Sequence, residues 1–289
     1  MSQPVTIGSE CLTARIDPLG AELVSLCDSD GRELLTPADP ARWTGHAPLL
    51  FPIVGRLNGD VLRLDGREYP MKQHGFARRL VWELVGAGED AVTFVLRDSE
   101  ETRAAYPFAF ELAVLYALED ATLTVAVRVS NPGPEPLPMS FGWHPAFAWP
   151  LPFGQPRADH LIVFEREEGP AITQLSDGLV VAEVPSPLTG RTLALDDALF
   201  ANDALIWAPV TSQKVTYGAS DGPHLRVSFP DTPFLGVWSQ PGAGFVCIEP
   251  WHGHADPDGF LGDFHDKPGV ISVGPGADWR CTMSVTLAG

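Results

Sequence analysis

The sequence predicts an all-β fold, a large antiparallel β-sandwich with few short helices, and three observations point there. Apolar and polar residues alternate with period two in several segments, as a strand with one buried face requires. Glycine and proline, 28 of each among 289 residues, fall mainly between apolar runs and punctuate them. Helical periodicity is nearly absent.

Taken in order, residues 61–69 read as a hairpin, because Asp65-Gly66 readily supplies the positive φ angles of a two-residue turn. Val92, Phe94 and Leu96 mark a strand, and Leu123, Val125, Val127 and Val129 mark another, alternating with Thr122, Thr124, Arg128 and Ser130. The proline-rich piece at 131–138 is short, with a strand before it and Phe141-Gly142-Trp143 after, so it is expected to be a tight crossover between two sheets rather than a linker. Cys281, Met283, Val285 and Leu287 close the pattern, alternating with Thr282, Ser284 and Thr286. With no repeat or long charge run, residues 1–289 read as a single domain. A chain of this length buries roughly 75% of its unfolded surface, so a sizeable core is expected.

Composition narrows the function. Nineteen Lys and Arg against 37 Asp and Glu give a net charge of −18, with the basic residues scattered, which argues against nucleic acid and anionic membranes as partners. No stretch approaches the ~20 apolar residues of a membrane span. The first ten residues carry neither the basic nor the apolar region of a secretory signal, so a cytoplasmic location is expected. Cys11, Cys27, Cys247 and Cys281 include no C-x-x-C and sit among strand-like residues, which suggests reduced, partly buried thiols.

Four polar segments stand out. Glu249 follows the apolar run Val246-Cys247-Ile248 and opens a turn crowded with polar side chains; a carboxylate there is costly to bury unless hydrogen-bonded or functional. His144 lies between Trp143 and Pro145, with Phe147 close by, as an imidazole on an aromatic wall or as a core histidine bonded to a carbonyl. Arg56 follows Gly55 at the end of an apolar strand, as a ligand-binding guanidinium or as a strand-end salt bridge. His74 precedes Gly75, where a ligand or another strand can approach the backbone closely. Together an acid and a base on aromatic walls suggest proton transfer on a small polar molecule. The run His252-Gly253-His254-Ala255-Asp256 resembles part of a zinc-hydrolase motif, but Pro257 stands where its last histidine belongs.

Gly55-Arg56, Gln73-His74-Gly75-Phe76-Ala77-Arg78, Trp143-His144-Pro145-Ala146-Phe147, Phe200-Ala201-Asn202-Asp203 and Cys247-Ile248-Glu249-Pro250-Trp251 together resemble the aldose 1-epimerase superfamily over nearly the whole chain. The nearest branch in pattern is LacX-like, and the run at 73–78 is also similar to glucose-6-phosphate 1-epimerases. The resemblance implies a galactose mutarotase-like supersandwich with a sugar cleft on one face. It also implies that Glu249 is the general base and His144 the general acid, while Arg56, His74 and Asp203 hold the sugar. The expected reaction is interconversion of the α and β anomers of an aldohexose, with no metal or organic cofactor. Arg78 and Arg79 could hold a 6-phosphate, as in the sugar-phosphate branch, and a non-catalytic sugar-binding protein is the other alternative. Trp238 and Trp251 are candidates to cover the apolar C–H face of a pyranose. The arginine and glutamate lack the Asn-Arg and Glu-Thr-Gln settings of the galactose branch, which leaves galactose specificity open.

Overall fold

Period-two alternation is realised where the sequence places it. In the strand Thr122–Ser130 the residues Leu123, Val125, Val127 and Val129 are buried, and they face Val285, Met283, Cys281 and Trp279 of the strand Asp278–Ala288. Burying such aliphatic side chains contributes about 1.5–3 kcal/mol each, which is why a one-residue slip of register is strongly disfavoured. The computed structural model describes residues 3–289.

These strands belong to a nine-stranded antiparallel sheet. Its order is Thr192–Ala194, His160–Phe164, Lys214–Ala219, His224–Ser228, Asp278–Ala288, Thr122–Ser130, Glu111–Glu119, Ala91–Arg97 and Glu83–Ala87. An eight-stranded antiparallel sheet runs in the order Leu179–Pro185, Ala171–Ser176, Leu205–Trp207, Phe234–Trp238, Phe245–His252, Phe141–Trp143 and Leu49–Leu50, with Ala146–Ala148 also paired to Phe245–His252. Smaller sheets flank them, and the one α-helix among the described residues is Glu100–Ala105, capped by Ser99. No helix among the described residues is long and apolar enough to cross a membrane.

The main core draws Val125 and Val127 from the larger sheet and Leu235, Val237, Val246 and Ile248 from the smaller one. Residues 131–138 carry the chain from the nine-stranded sheet through the short strand Leu137–Met139 into the eight-stranded sheet, the crossover expected from the sequence. The hairpin also forms as expected, with φ of 49° at Asp65 and 73° at Gly66 between Val61–Leu64 and Arg67–Pro70. All four cysteines are free thiols, Cys247 and Cys281 buried.

All eight residues of Phe245–His252 are buried, because both faces of this strand are covered. Val246 and Ile248 point into the main core, whereas Cys247 and Trp251 belong to separate apolar clusters on the other face, with Glu249 between them. Gly142 and Gly236, on the two flanking strands, leave a slot for the Trp251 indole: a Cβ at either would lie 2.5 or 2.7 Å from that ring.

Candidate active site

The face of the smaller sheet turned away from the main core carries a cavity of about 280 Å³. Trp43, Gly55, Gln73, His74, Arg78, His144, Asp203, Trp238, Glu249 and Trp251 are among the residues that line it. This is just below the usual range of ligand sites, about 300–1,000 Å³, and suits a small one-ring molecule better than a longer chain.

Glu249 reaches the cavity from the middle of Phe245–His252 and is 1% exposed. His144 is brought beside it by backbone bonding: the Ile248 N–H donates to the Pro145 carbonyl at 3.2 Å, and Ala146 pairs with Cys247. His144 Nε2 then lies 3.1 Å from Glu249 Oε2. The contact is close but off the axis of a hydrogen bond, and Glu249 Oε2 accepts none. Burial pushes Glu249 well above the usual carboxylate range, and the Asp203 charge pushes it further. The Trp251 indole N–H opposes this from nearby without a bonding geometry. Burial lowers His144 to about 3, only partly offset by its own backbone, which Nδ1 approaches without a bonding geometry, and the Arg78 charge lowers it further. Both shifts run the same way, burial favouring the uncharged imidazole and the protonated carboxyl over the ion pair.

Aromatic rings enclose this pair. Trp43 stacks on His144 with centroids 4.9 Å apart and planes at 28°, while Trp238 meets His144 edge-on at 5.8 Å. Trp143 and Phe147, the walls suggested by their place beside His144, instead face the main core. Neighbours one and three residues away along an extended chain point to the opposite face, so the correction follows from parity. Trp43 escapes sequence reading, since it sits in an irregular segment far from His144 in the chain. Its one signal is a tryptophan in a loop rich in Pro, Gly and polar residues, where no strand face calls for it. Gln73 and Gly178 also line the cavity and were not singled out.

His74 is fixed by the loop it belongs to. Its φ is 64°, its N–H donates to the Gly55 carbonyl at 2.9 Å, and its Nδ1 accepts the Gly55 N–H at 3.1 Å. That bond sets the tautomer, leaving Nε2 as an N–H donor on a ring that lines the cavity. Burial first, and then the nearby Arg78 and Arg79 guanidinium charges, lower its pKa well below the usual histidine value. The close approach at Gly75 is to another segment: Phe76 and Ala77 donate to the Phe51 carbonyl, and a Cβ at Gly75 would lie 2.1 Å from that oxygen.

Arg56 is not among the residues lining the cavity. Its guanidinium binds Asp60 at 2.9 Å and the Asp177 carbonyl at 3.1 Å, so the strand-end salt bridge is realised. Arg78 is the guanidinium on the cavity wall. It lines the cavity, donates to the Gln73 carbonyl, makes no ion pair among the described residues, and is lowered to about 10 by burial and by Arg79. Arg79 is tied to the Gly75 carbonyl. Asp203 lies on the cavity wall with φ of 77°, its Oδ1 accepting from the Ala204 N–H.

The residues of the partial zinc motif do not converge. His252 packs edge-on to Trp279, His254 bonds the Ala255 carbonyl, and Asp256 accepts from the Asn58 N–H at 2.8 Å. That last bond, with the Lys267 ammonium 3.7 Å from Asp256, anchors the loop bearing Gly55 and Arg56.

The family model for aldose 1-epimerase matches residues 3–262. The plasmid-borne protein LacX of Lactococcus lactis is 34% identical across 98% of this chain and 99% of its own. A galactose mutarotase related enzyme from Lactobacillus acidophilus superposes with a TM-score of 0.94 at 34% identity, covering 99% of this chain and 98% of its own. A galactose mutarotase-like protein from Lactobacillus casei gives 0.92 at 31% identity, covering 99% and 100%.

Proposed function

The chain belongs to the aldose 1-epimerase family, and from that premise we propose that it interconverts the α and β anomers of an aldohexose by acid–base ring opening and reclosure. The observation that carries the proposal is the buried Glu249–His144 pair, 3.1 Å apart and open to a tryptophan-lined cavity.

Anomer exchange requires a proton to leave the C1 hydroxyl and another to reach the ring oxygen O5, so that C1–O5 breaks and the aldehyde is freed. O1 and O5 are borne by the same carbon. Two adjacent proton-transfer groups approaching from one side serve both. Glu249 takes the O1 proton while His144 protonates O5. Rotation about C1–C2 presents the other carbonyl face, and reclosure returns both protons by the reverse transfers. Positioned acid–base groups contribute ~10²–10⁴-fold.

The proton count of the site fits this cycle. Protonated Glu249 with neutral His144, and ionised Glu249 with His144 as imidazolium, hold the same single proton. Passing it across the pair converts the resting arrangement into the reactive one with no charge entering from solvent, which in a dry cavity would be costly. His74 Nε2–H, Arg78 and Asp203 offer donors and acceptors for the sugar hydroxyls, and Trp43, Trp238 and Trp251 cover its C–H face.

A hexose 6-phosphate is the second reading, favoured by Arg78, a half-buried guanidinium with no carboxylate partner among the described residues. NMR exchange between anomers of glucose, galactose and glucose 6-phosphate tests both readings. Wild-type protein should accelerate exchange of at least one sugar, and Glu249→Gln should lose about 10²-fold or more of it while remaining folded and still binding that sugar. Sugar binding with no acceleration in the wild type would leave a non-catalytic sugar-binding protein as the reading to adopt.

A further inference from the structure

We propose that His144, Cys247 and Glu249 form a binding site for a borderline-soft divalent cation, zinc above all, and that its occupation shuts off the acid–base pair. The cation binding stands on geometry alone; the inhibition rests on the function proposed above.

Cys247 has no part in the proton transfers and does not line the cavity, yet period two places its side chain on the same strand face as Glu249. The bond from Ile248 to the Pro145 carbonyl holds His144 against that face. One ligand atom from each residue, an imidazole nitrogen, a thiol sulfur and a carboxylate oxygen, lies within 4.8 Å of the other two, all three residues being buried. No other group of three such residues among the described residues comes this close.

Zinc bonded tetrahedrally at about 2.0–2.3 Å needs ligand atoms about 3.3–3.8 Å apart. The His144–Glu249 pair, at 3.1 Å, is already near that spacing, and the widest separation in the trio has to shorten by only about 1 Å. Glu249 Oε2 accepts no hydrogen bond, so a cation displaces none there. A thiolate and a carboxylate together cancel the charge of a divalent ion, the thiol and carboxyl protons leaving to solvent as it binds.

The ligand set decides between cations. A thiolate and an imidazole favour zinc, whereas magnesium and calcium require six or more oxygen ligands that this wall does not supply. With the Glu249 oxygen and the His144 nitrogen both engaged by the metal, neither can exchange a proton with O1 or O5. Zinc should therefore inhibit anomer exchange, competing with sugar for the same space.

Calorimetry with zinc alone, on chelator-treated protein kept reduced, is expected to show one saturable site per chain, with none for magnesium. Cobalt alone should give a thiolate-to-metal charge-transfer band. In Cys247→Ala zinc should bind roughly tenfold weaker or worse and the cobalt band should vanish, while anomer exchange persists and becomes insensitive to zinc. Absence of saturable zinc binding to the wild type, or binding that Cys247→Ala leaves unchanged, would overturn the site. Because calorimetry and the cobalt spectrum need no turnover, a protein that binds zinc through Cys247 but accelerates no sugar would refute the proposed function and leave the metal site standing. A variant too unstable to purify leaves the wild-type cobalt band as the deciding observation.

Discussion

Replacing Lys267 with methionine should remove a specific pH dependence of stability. The Lys267 side chain is fully buried, its ammonium donates to the His254 carbonyl, and its one carboxylate neighbour, Asp256 Oδ1, is 3.7 Å away. Burial lowers it from 10.5 to about 8 against the opposing pull of Asp256. At about 1.4 kcal/mol per decade this displacement amounts to about 3 kcal/mol. Below pH 8 folded and unfolded chains both carry the proton, and the cost of burying the charge is fully present. Between about 8 and 10.5 the unfolded chain retains a proton that the folded chain has released, so stability rises with pH. Above 10.5 neither is charged and the cost is gone. Urea unfolding at intervals from pH 7.5 to 10.5 should therefore show the wild type gaining about 3 kcal/mol relative to Lys267→Met across the window. The buried Tyr106, Tyr116 and Tyr217, all shifted upward, act in the opposite direction near the alkaline end, but equally in both proteins, so they cancel in the difference. A difference that stays flat over the window would refute the reasoning. It would mean that the ammonium is hydrated, or that its pairing with Asp256 matches the cost of burial.

Two further substitutions probe the site. Gly75→Ala places a Cβ 2.1 Å from the Phe51 carbonyl at a φ of 70°, and should destabilise the protein by at least about 2 kcal/mol in chemical denaturation; an unchanged midpoint would contradict the tight packing of this turn. Asp203→Asn keeps a side chain that tolerates positive φ but removes the charge that raises Glu249. The pH range in which the Glu249–His144 pair holds one proton, and with it the bell of exchange rate against pH, should move to lower pH; a bell that stays in place would show that Asp203 does not act electrostatically on the pair.

Local periodicity made the strands legible, and it could not say which strands are neighbours. Leu123–Val129 and Cys281–Leu287 each announce a buried face, yet their pairing spans more than 150 residues and depends on packing that no short window contains. Glu249 was legible for the opposite reason, as a carboxylate in a run otherwise apolar. Arg56 carries a bond that its motif does not announce, since Asp60, only four residues away, pairs with its guanidinium and lies outside the motif. Trp43 shows another: its stacking on His144 is a contact across the fold, made by a loop whose sequence carries no period.

The strand that carries the chemistry is the one where alternation fails. In Phe245–His252 both faces are covered, so apolar residues fill both parities and the period-two signal disappears. What distinguishes the faces is the exception to hydrophobicity. The odd positions place Cys247, Glu249 and Trp251 on the cavity side, while Val246 and Ile248 pack into the core. A carboxylate at that parity is shielded from water by Trp43, Trp238 and Trp251 rather than by the sandwich core. It is therefore dry enough for its proton affinity to rise, yet separated from a ligand by nothing but the cavity itself. Moved by one residue in either direction, the same glutamate would point between the sheets with no access to a substrate. The position of Glu249 in the strand, as much as its chemistry, is what brings its carboxyl to the cavity and suits it to the proposed proton transfer.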